Sequence, residues 1–388
     1  LPLVVRVGFV ALLGLAMLLA SAAPLLPQPL LLPPLIVFLA LPALPRLAAA
    51  VRPLTSTEPP ALADSDLPDY SVLIPLCDEA NMVPLLAQAM KALDYPGEKL
   101  DIKFVVESRS LATIEAVRRL PDDPRFELVV VPPAPPFTKP KALNYALPFV
   151  RGRYLVIYDA EDIPAPDQLR RAAARFIADP GLDCLQAELD IDNADETWLT
   201  GLFAGEYAGL FKLLLPQLAD WRLPMPLGGS SNHFRADALR EVGSWDAYNV
   251  TEDADLGVRL ARLRYRVGTL ASRTGEEAPV SLGQWMAQRS RWMKGWMQTF
   301  IVHNRSPRRL LADFGWRGLF AFEIYVAGLI LSAPLHTVLV ATFGWRLLSG
   351  DSLAPHSGWD WAYLAVLVVG YGGAFALIVA GLVRSGRA

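Results

Sequence analysis

The run Tyr154-Leu155-Val156-Ile157-Tyr158-Asp159-Ala160-Glu161-Asp162 decides the fold of this chain. Large apolar residues that end in acidic ones are typical of a buried strand that reaches the edge of a sheet. The alternating carboxylates Asp159 and Glu161 are therefore delivered to that edge. Mg²⁺ and Mn²⁺ prefer oxygen ligands, and a nucleotide diphosphate commonly completes their shell beside one or two carboxylates. We predict a site for Mg²⁺ or Mn²⁺ at Asp159 and Glu161, with Asp162 as an alternative second ligand.

Strands alternate with helical patterns around this run. Helical periodicity is present at residues 82–93, 112–120 and 167–177. The predicted strands are residues 71–76, 102–107, 126–131, 154–159 and 184–189. Such alternation predicts an α/β fold with a mixed, mostly parallel sheet and helices on both faces. Ligands bind beyond the carboxyl ends of strands in such sheets, where Glu107, Asp159 and Glu161 fall.

Four strongly apolar segments flank this central part, at residues 3–23, 30–51, 319–343 and 361–383. A helix of about 20 residues crosses a hydrocarbon core, so each segment is long enough to span a membrane. A cleavable signal peptide is the alternative for the first segment. Arginines flank one side of the four-span arrangement, whereas the opposite loops, residues 22–29 and 349–360, contain no lysine or arginine. The positive-inside rule therefore predicts a multi-pass protein of the bacterial inner membrane with its central domain in the cytoplasm.

The composition narrows the class of protein. Of the 388 residues, 53% are hydrophobic, and the excess lies at the two ends. A net charge of −3 lacks the basic character of nucleic-acid-binding proteins, so no nucleic-acid partner is expected. Cys77 and Cys184 lie far apart in apolar stretches, which predicts buried, reduced thiols rather than a metal motif or a disulfide.

These patterns divide the chain into five parts. Residues 53–69 are a linker rich in Pro, Ser and Asp, and the alternation of strands and helices begins after it. The predicted parts are two transmembrane helices (1–52), the linker (53–69), a cytoplasmic catalytic domain (70–283), interfacial helices (284–315) and two further transmembrane helices (316–388).

The stretch from Thr138 to Asn144 precedes a helical pattern and carries Lys139 and Lys141 near its start. Ammonium groups and helix N-termini both favour phosphate oxygens, so Lys139, Lys141 and Asn144 are candidates for binding a charged donor. The alternative is an ordinary pair of surface lysines.

Thr251-Glu252-Asp253 opens a helical pattern over residues 254–263, with Thr251 as the N-cap. We predict that Asp253, with Glu252 beside it, is the general base that takes a proton from an acceptor hydroxyl. Because a helix N-terminus lowers a carboxyl pKa, this role requires burial or nearby acids to raise it. The alternative is that both acids only complement the helix dipole.

Gln288, Arg291 and Trp292 are spaced so that they share one face of a helix. An indole can stack on a sugar ring, and Gln and Arg can bind hydroxyls or diphosphate oxygens. We assign Gln288 and Trp292 to the acceptor and Arg291 to the donor. The alternative is an interfacial helix with an aromatic belt, and both descriptions can hold together.

Small residues at 227–234 allow a ligand to approach the backbone closely. His233, within this stretch, is predicted to have a structural or an acceptor-site role. Trp245 either lines an acceptor groove or packs a loop.

Together these motifs resemble the membrane-integrated, processive family 2 glycosyltransferases, the group that contains the bacterial cellulose synthase catalytic subunit and related β-glycan synthases. The resemblance covers residues 70–299, and it implies a glycosyltransferase A-type fold, an inverting mechanism, a nucleotide-sugar donor and Mg²⁺ or Mn²⁺. It also implies a uracil-binding turn from Pro75 to Glu79 and a diphosphate contact by Lys141. Two departures are Glu161, where the family usually has aspartate, and Glu107, where paired aspartates usually contact the base or ribose.

The resemblance implies an enzyme that extends a β-linked polysaccharide, such as a β-glucan, from a UDP-sugar, with UDP-glucose as the expected donor. The expected partners are the donor, the growing polysaccharide, the lipid bilayer, and export or accessory subunits. One alternative is the transfer of a single sugar to a lipid. Another is a catalytically silent membrane scaffold or transport component.

Overall fold

A computed structural model of the protein describes residues 7, 8, 11, 28–51, 59–350 and 354–386. Apart from three isolated residues, the predicted first span at residues 3–23 and its signal-peptide alternative lie outside this described part. Part of the predicted linker, residues 53–58, also lies outside it.

Eight strands form one sheet in the order β3-β2-β1-β4-β7-β6-β8-β5. The strands are β1 Tyr70–Leu76, β2 Leu100–Glu107, β3 Phe126–Val131, β4 Tyr154–Ile157, β5 Ile163–Pro164, β6 Leu182–Ile191, β7 Asn232–Arg235 and β8 Arg266–Glu276. Strand β7 runs antiparallel to both neighbours and β5 runs antiparallel to β8, whereas the other four neighbouring pairs are parallel. The predicted mixed, mostly parallel sheet is confirmed.

Helices cover both faces of the sheet and continue into the apolar ends of the chain. They are α1 Gln28–Leu35, α2 Leu41–Val51, α3 Val83–Lys91, α4 Leu111–Arg118, α5 Lys139–Ala146, α6 Gln168–Ala178, α7 Trp198–Gly209, α8 Leu215–Asp220, α9 Ala236–Glu241, α10 Glu252–Arg262, α11 Leu282–His303, α12 Pro307–Phe322, α13 Gly328–Ser349 and α14 Gly358–Arg384.

Alternation along the strands builds two cores, one on each face of the sheet. In β1, Tyr70, Val72 and Ile74 enter one core, while Leu73 enters the other together with Ile157 of β4. Because successive side chains point to opposite faces, a strand covered on both faces reads as a continuous apolar run. The carboxyl ends of β1, β2, β4, β6 and β8 meet at one edge of the sheet, and a core on each face supports that edge.

Three helical stretches in the described part are long and apolar enough to cross a membrane: Leu32–Val51, Pro307–Ser349 and Gly358–Arg384. They include the predicted second, third and fourth spans. The stretch Pro307–Ser349 bends at Gly315, whose φ of 65° is not helical. The predicted separation into interfacial helices before residue 315 and a span after it coincides with this bend.

Helix α14, the last candidate span, packs directly on α7 of the sheet domain. A side chain at Gly381 would lie 2.7 Å from the carbonyl carbon of Ala208, and one at Gly209 would lie 2.9 Å from the Leu377 carbonyl oxygen. Small residues let helix backbones approach this closely. Helix α7 is therefore shared between the sheet domain and the membrane-spanning part.

The two cysteines differ in exposure. Cys184 of β6 is buried, as predicted, whereas Cys77 is exposed. The prediction for Cys77 was wrong because β1 ends at Leu76, so that this residue lies in the loop beyond the strand rather than within the apolar core.

Candidate active site

Two carboxylates converge on a glycine at the carboxyl edge of the sheet. Asp159 follows β4, and Asp253 lies in the first turn of α10. A Cβ placed on Gly229 would lie 3.5 Å from Oδ2 of Asp253 and 3.9 Å from Oδ2 of Asp159. Because glycine has no side chain, the space between the two carboxylates stays open to a ligand.

The loop after β4 is fixed by Asp162. The Asp159 amide donates a hydrogen bond of 2.6 Å to Oδ2 of Asp162, and the Ser230 hydroxyl donates to the same oxygen. Asp162 is 1% exposed, whereas Glu161 is exposed. Burial, and then the charge of Asp159, raise the pKa values of both Asp162 and Glu161. Asp162 therefore holds the loop while Glu161 remains accessible from the cleft.

Lys139 provides the positive charge at this edge. Its ammonium group forms an ion pair with Asp159 and donates a hydrogen bond of 2.6 Å to the Gly229 carbonyl. Burial lowers the pKa of Lys139, but the charges of Asp159, Glu252 and Asp253 outweigh burial and hold that pKa above its usual value. One lysine thus faces several carboxylates.

A general base at a helix N-terminus needs burial or nearby acids to raise its pKa, and the pair Glu252–Asp253 has both. Burial raises the pKa of Asp253, and Asp159 raises it further, against the Ala254 amide and Lys139, which lower it. Burial and then Asp253 raise the pKa of Glu252. Burial and neighbouring acids thus override the helix N-terminus.

Lys141 and Glu107 are paired with each other at the next strand end. The Lys141 ammonium donates hydrogen bonds of 2.8 and 3.0 Å to the Glu107 carboxylate and one of 3.1 Å to the Pro132 carbonyl. In the turn after β1, Oε2 of Glu79 accepts a hydrogen bond of 3.1 Å from the Cys77 amide. Pro75, two residues earlier, is the partly buried next-to-last residue of β1.

Three candidates lie in the framework rather than at the carboxylates. His233 is 0% exposed inside the sheet, where Nδ1 meets the Tyr70 hydroxyl at 2.7 Å. Trp245 is buried against Phe234. Asn144 exchanges two hydrogen bonds with the Trp245 backbone, at 2.8 and 3.1 Å. These contacts hold the loop before α10.

Helix α11 brings the Gln-x-x-Arg-Trp residues to the same region. The Trp292 ring packs between Phe203 of α7 and the guanidinium of Arg289, whose carbon lies 4.7 Å from the ring centre. Oε1 of Gln288 is buried and has no hydrogen-bond partner in the described part of the chain. Arg291 is exposed.

Sequence reasoning missed two residues of this site. Glu276 ends β8, and burial, followed by Asp162, raises its pKa. Its position at a strand end is the same signal that identified Asp159, but the mixed sequence of β8 concealed the strand. The other is Gly295 of α11, where a Cβ would lie 2.5 Å from Cγ2 of Thr251. Helix α11 therefore packs directly on the Thr-Glu-Asp turn.

The donor set fits a divalent ion bound together with a diphosphate. Among the residues that the structure describes, no group of three His, Cys, Asp or Glu side chains is arranged to hold a metal ion alone. Asp159 supplies a hard oxygen beside the space at Gly229, the exposed Glu161 follows two residues later, and the acids outnumber the single lysine. Such a site suits an ion that takes its remaining ligands from phosphate.

The family model described as "Glycosyl transferase family group 2" matches residues 154–379, more than half of the chain. The match includes both carboxylates at Gly229 and the Gln-x-x-Arg-Trp helix. The chain belongs to this family. Membership identifies the protein as a family 2 glycosyltransferase. The relatives of the chain carry names of different kinds of glycosyltransferase.

Among the relatives, the probable glycosyltransferase YdaM of Bacillus subtilis is 25% identical over 70% of this chain and 67% of its own length. A β-monoglucosyldiacylglycerol synthase of Synechocystis is 26% identical over 74% of this chain and 61% of its own length. The cellulose synthase catalytic subunit of Pseudomonas fluorescens is 28% identical over 61% of this chain but only 32% of its own length. The chain therefore aligns with only part of the length of each of these relatives.

The mannosyltransferase PcManGT of Pyrobaculum calidifontis, solved in complex with GDP-Man and Mn²⁺, aligns with a TM-score of 0.58 and 20% identity. The alignment covers 95% of this chain and 97% of that one. The predicted glycosyltransferase A-type fold is confirmed by this likeness.

Proposed function

We propose that the protein is an inverting, metal-dependent glycosyltransferase that moves a hexose from a UDP-sugar, with UDP-glucose as the first candidate, to a hydroxyl acceptor. The observation that carries the proposal is the convergence of Asp159 and Asp253 on the open space at Gly229. One carboxylate forms an ion pair with Lys139, whereas the other is half-buried and has a raised pKa. Two acids in such different environments suit two different roles.

Asp253 is the proposed general base. It accepts the acceptor hydroxyl proton while the hydroxyl oxygen bonds to the anomeric carbon and the bond from that carbon to UDP breaks. The electron pair leaves with the diphosphate, and the anomeric configuration inverts because the hydroxyl attacks from the face opposite the leaving group in a single displacement. A raised pKa brings a carboxylate nearer the working pH and makes it a better proton acceptor.

The donor side consists of residues around Asp159. Asp159 and Glu161 would hold a divalent ion, which would supply Lewis-acid stabilisation of the leaving diphosphate. Lys139 holds Asp159 in place, and Lys141 and Arg291 offer further positive charge to phosphate oxygens. The turn from Pro75 to Glu79 and the strand end at Glu107 are proposed to contact the nucleoside.

The acceptor side is proposed to be formed by α11. Gln288 presents a carbonyl oxygen without a partner in the described part, which suits a sugar hydroxyl, and Trp292 offers an aromatic face. We propose that a growing β-linked glycan lies here and is extended processively, with the spans, alone or with accessory subunits, contributing an export path. The arginine distribution supports a cytoplasmic active site at the inner membrane.

Transfer of one sugar to a lipid is the second candidate. Helix α7, which packs on the last span, exposes Trp198 and Leu202, and these apolar side chains offer a route for a lipid acceptor. The relatives named β-monoglucosyldiacylglycerol synthases support the same reading.

Purified full-length protein should release UDP from a UDP-sugar only when Mg²⁺ or Mn²⁺ is present. A panel of UDP-sugars and GDP-mannose identifies the donor, and the size and linkage of the product separate a polymer from a glycolipid. An absence of turnover with every donor, or of metal-dependent donor binding by calorimetry, would favour a silent scaffold and overturn the proposal.

A further inference from the structure

A cavity of about 1600 Å³ lies on the opposite side of the sheet from the active site. It is lined by the amino-terminal half of β8, by α6, by the loop after α8 and by the bend of α12. Because β6 and β8 run parallel, their first residues, Leu182 and Arg266, mark the edge away from the acidic cluster. The glycosyl-transfer chemistry described above uses none of these residues.

The cavity is positively charged. Seven arginines and four aspartates line it, which leaves an excess of three positive charges. Two of the aspartates, Asp94 and Asp313, form ion pairs with Arg170 and Arg262. The whole chain is negative, so this excess is a local feature.

Three of the exposed arginines that line the cavity form no ion pair with any residue that the structure describes. Arg222, Arg264 and Arg317 are exposed, and no salt bridge engages them within the part of the chain that the structure describes. Guanidinium groups present planar sets of donors that match phosphate oxygens. The cavity thus offers three guanidinium groups that no acidic side chain engages in the described part of the chain.

Two of the three occupy positions that favour glycine. Arg222 and Arg264 have φ angles of 53° and 64°, in the left-handed region. Each follows a helix in a Schellman arrangement, in which the Arg222 amide donates to the Ala219 carbonyl and the Arg264 amide donates to the Ala261 carbonyl. Glycine is usual there because a side chain adds strain. Arginine at both positions, facing one cavity, indicates a role for the side chains themselves.

The third arginine lies where the chain reaches the bilayer. Arg317 follows the bend at Gly315 in the stretch Pro307–Ser349, one of the three candidate spans. Its neighbours Trp316 and Phe320 are 76% and 60% exposed. Aromatic and cationic side chains together are typical of the membrane–water interface. With this candidate span in a bilayer, the cavity would open beside lipid headgroups.

We propose that this cavity binds the phosphate headgroup of an anionic phospholipid from the surrounding bilayer. A soluble phosphate would satisfy the guanidinium groups equally well. The exposed aromatic side chains beside Arg317 favour a ligand whose acyl chains remain in the membrane. The site is independent of the transfer reaction, so it stands even if the proposed donor or acceptor is wrong.

Native mass spectrometry of the full chain, released from nanodiscs of phosphatidylcholine and phosphatidylglycerol, tests this site. Wild type should retain phosphatidylglycerol in preference to phosphatidylcholine. The charge-removing variants Arg222→Gln, Arg264→Gln and Arg317→Gln should each weaken retention about fivefold, because a basic residue near an anionic surface contributes about that factor. Arg118→Gln, an exposed arginine of α4 outside the cavity, is the matched control and should retain lipid as wild type does.

Two results would overturn the proposal. One is a triple variant, with an unchanged melting temperature, that retains phosphatidylglycerol as well as wild type. The other is displacement of the lipid by inorganic phosphate at an equal concentration, because the cavity would then be a site for soluble anions. Arg222→Gly and Arg264→Gly keep the backbone conformation, so loss of lipid in these variants separates the side chains from folding.

Discussion

At the scale of single residues, the site places several carboxyl groups around one lysine, and their charges influence one another. Asp159, Glu252 and Asp253 all raise the pKa of Lys139, and the pKa values of Glu252 and Asp253 are raised by burial and depend on their charged neighbours. Like charges held together raise carboxyl pKa values, and a cation lowers them. The charge state of each group therefore depends on what else occupies the cleft, including a bound ion and diphosphate.

Asp253→Asn should abolish transfer while leaving donor binding intact. The amide keeps the size of the side chain but cannot accept a proton, and loss of general-base catalysis typically lowers rates about 10²–10⁴-fold. Steady-state UDP release gives the rate, and calorimetry with UDP gives the binding. Asp246→Asn, in the exposed turn before α10, serves as the control and should retain activity. Full activity in Asp253→Asn would rule out its role as the base.

The rate should fall at acidic pH as Asp253 becomes protonated. Because its pKa is raised above the usual value, the acid limb should lie above pH ~4. Lys139 lowers this pKa, so Lys139→Met should move the limb to higher pH. Rate–pH profiles of both proteins measure the shift, with Lys91→Met, on the exposed side of α3, as the control. A limb that moved to lower pH would contradict this electrostatic account.

Mn²⁺ with UDP should raise the melting temperature of wild type. Binding at about 100 times the Kd stabilises the folded state by about 2.7 kcal/mol. Asp159→Asn should lose most of this rise in melting temperature. Asp162→Asn should still be stabilised by Mn²⁺ with UDP, but its melting temperature should be lower than that of wild type because the Asp162 carboxylate fixes the loop. Thermal unfolding with and without the ion separates the two carboxylates. Equal loss in both variants would make Asp162 a ligand as well.

At the scale of elements, α11 supports the turn that carries the base. Gly295 contacts Thr251 so closely that a methyl group would overlap it, and the Thr251 hydroxyl is buried without a partner in the described part. In addition, His303 at the end of α11 contacts Asp255 of α10 at 2.9 Å. The helix with the Gln-x-x-Arg-Trp residues thus also positions Asp253, the proposed general base.

Gly295→Ala should lower activity more than stability. The added methyl group must displace the Thr251 turn, and overpacking of this kind typically costs about 1–3 kcal/mol. Gly283→Ala, in the same helix but with open space around it, is the control and should be neutral or stabilising by up to about 1 kcal/mol. Turnover and melting temperature are measured for both. Indistinguishable behaviour of the two variants would show that the contact is unimportant.

The sequence predicts five of the eight strands, because each is a long apolar run ending in polar residues. It does not reveal β5 and β7, which have two and four residues, or β8, whose apolar positions alternate with Arg, Thr and Ser. Among the site candidates, Asp159 and Asp253 converge, whereas His233 and Trp245 are buried in the framework. Spacing along the chain identifies chemical types, but only the packing of distant elements decides which side chains face the cleft.

At the scale of the whole molecule, the membrane helices and the sheet domain form one packed unit. Lys212, in the helical turn after α7, donates a hydrogen bond of 3.0 Å to Ser385 beyond α14. Gly381 and Gly209 form the close backbone contact described above, and Gly373 contacts Ala43 of α2. Helix α14 therefore joins the first described span to the catalytic domain.

Gly381→Ala should destabilise the protein by about 1–3 kcal/mol, because the methyl group would press on the α7 backbone. Gly372→Ala lies in the same helix with open space around it and should not destabilise the protein. Thermal unfolding in detergent compares the two variants. If both melt as wild type does, the contact between α14 and α7 adds nothing to stability.

The contact between α7 and α14 also sets an order of events during synthesis. The ribosome makes α7 well before α14, so the sheet domain emerges with one of its helices still lacking its partner. The sheet domain completes its packing on α7 only after α14 has been made and has docked against it. Completion of the sheet domain is thereby tied to the docking of α14, and a chain in which this candidate span fails to dock lacks the contact that covers α7.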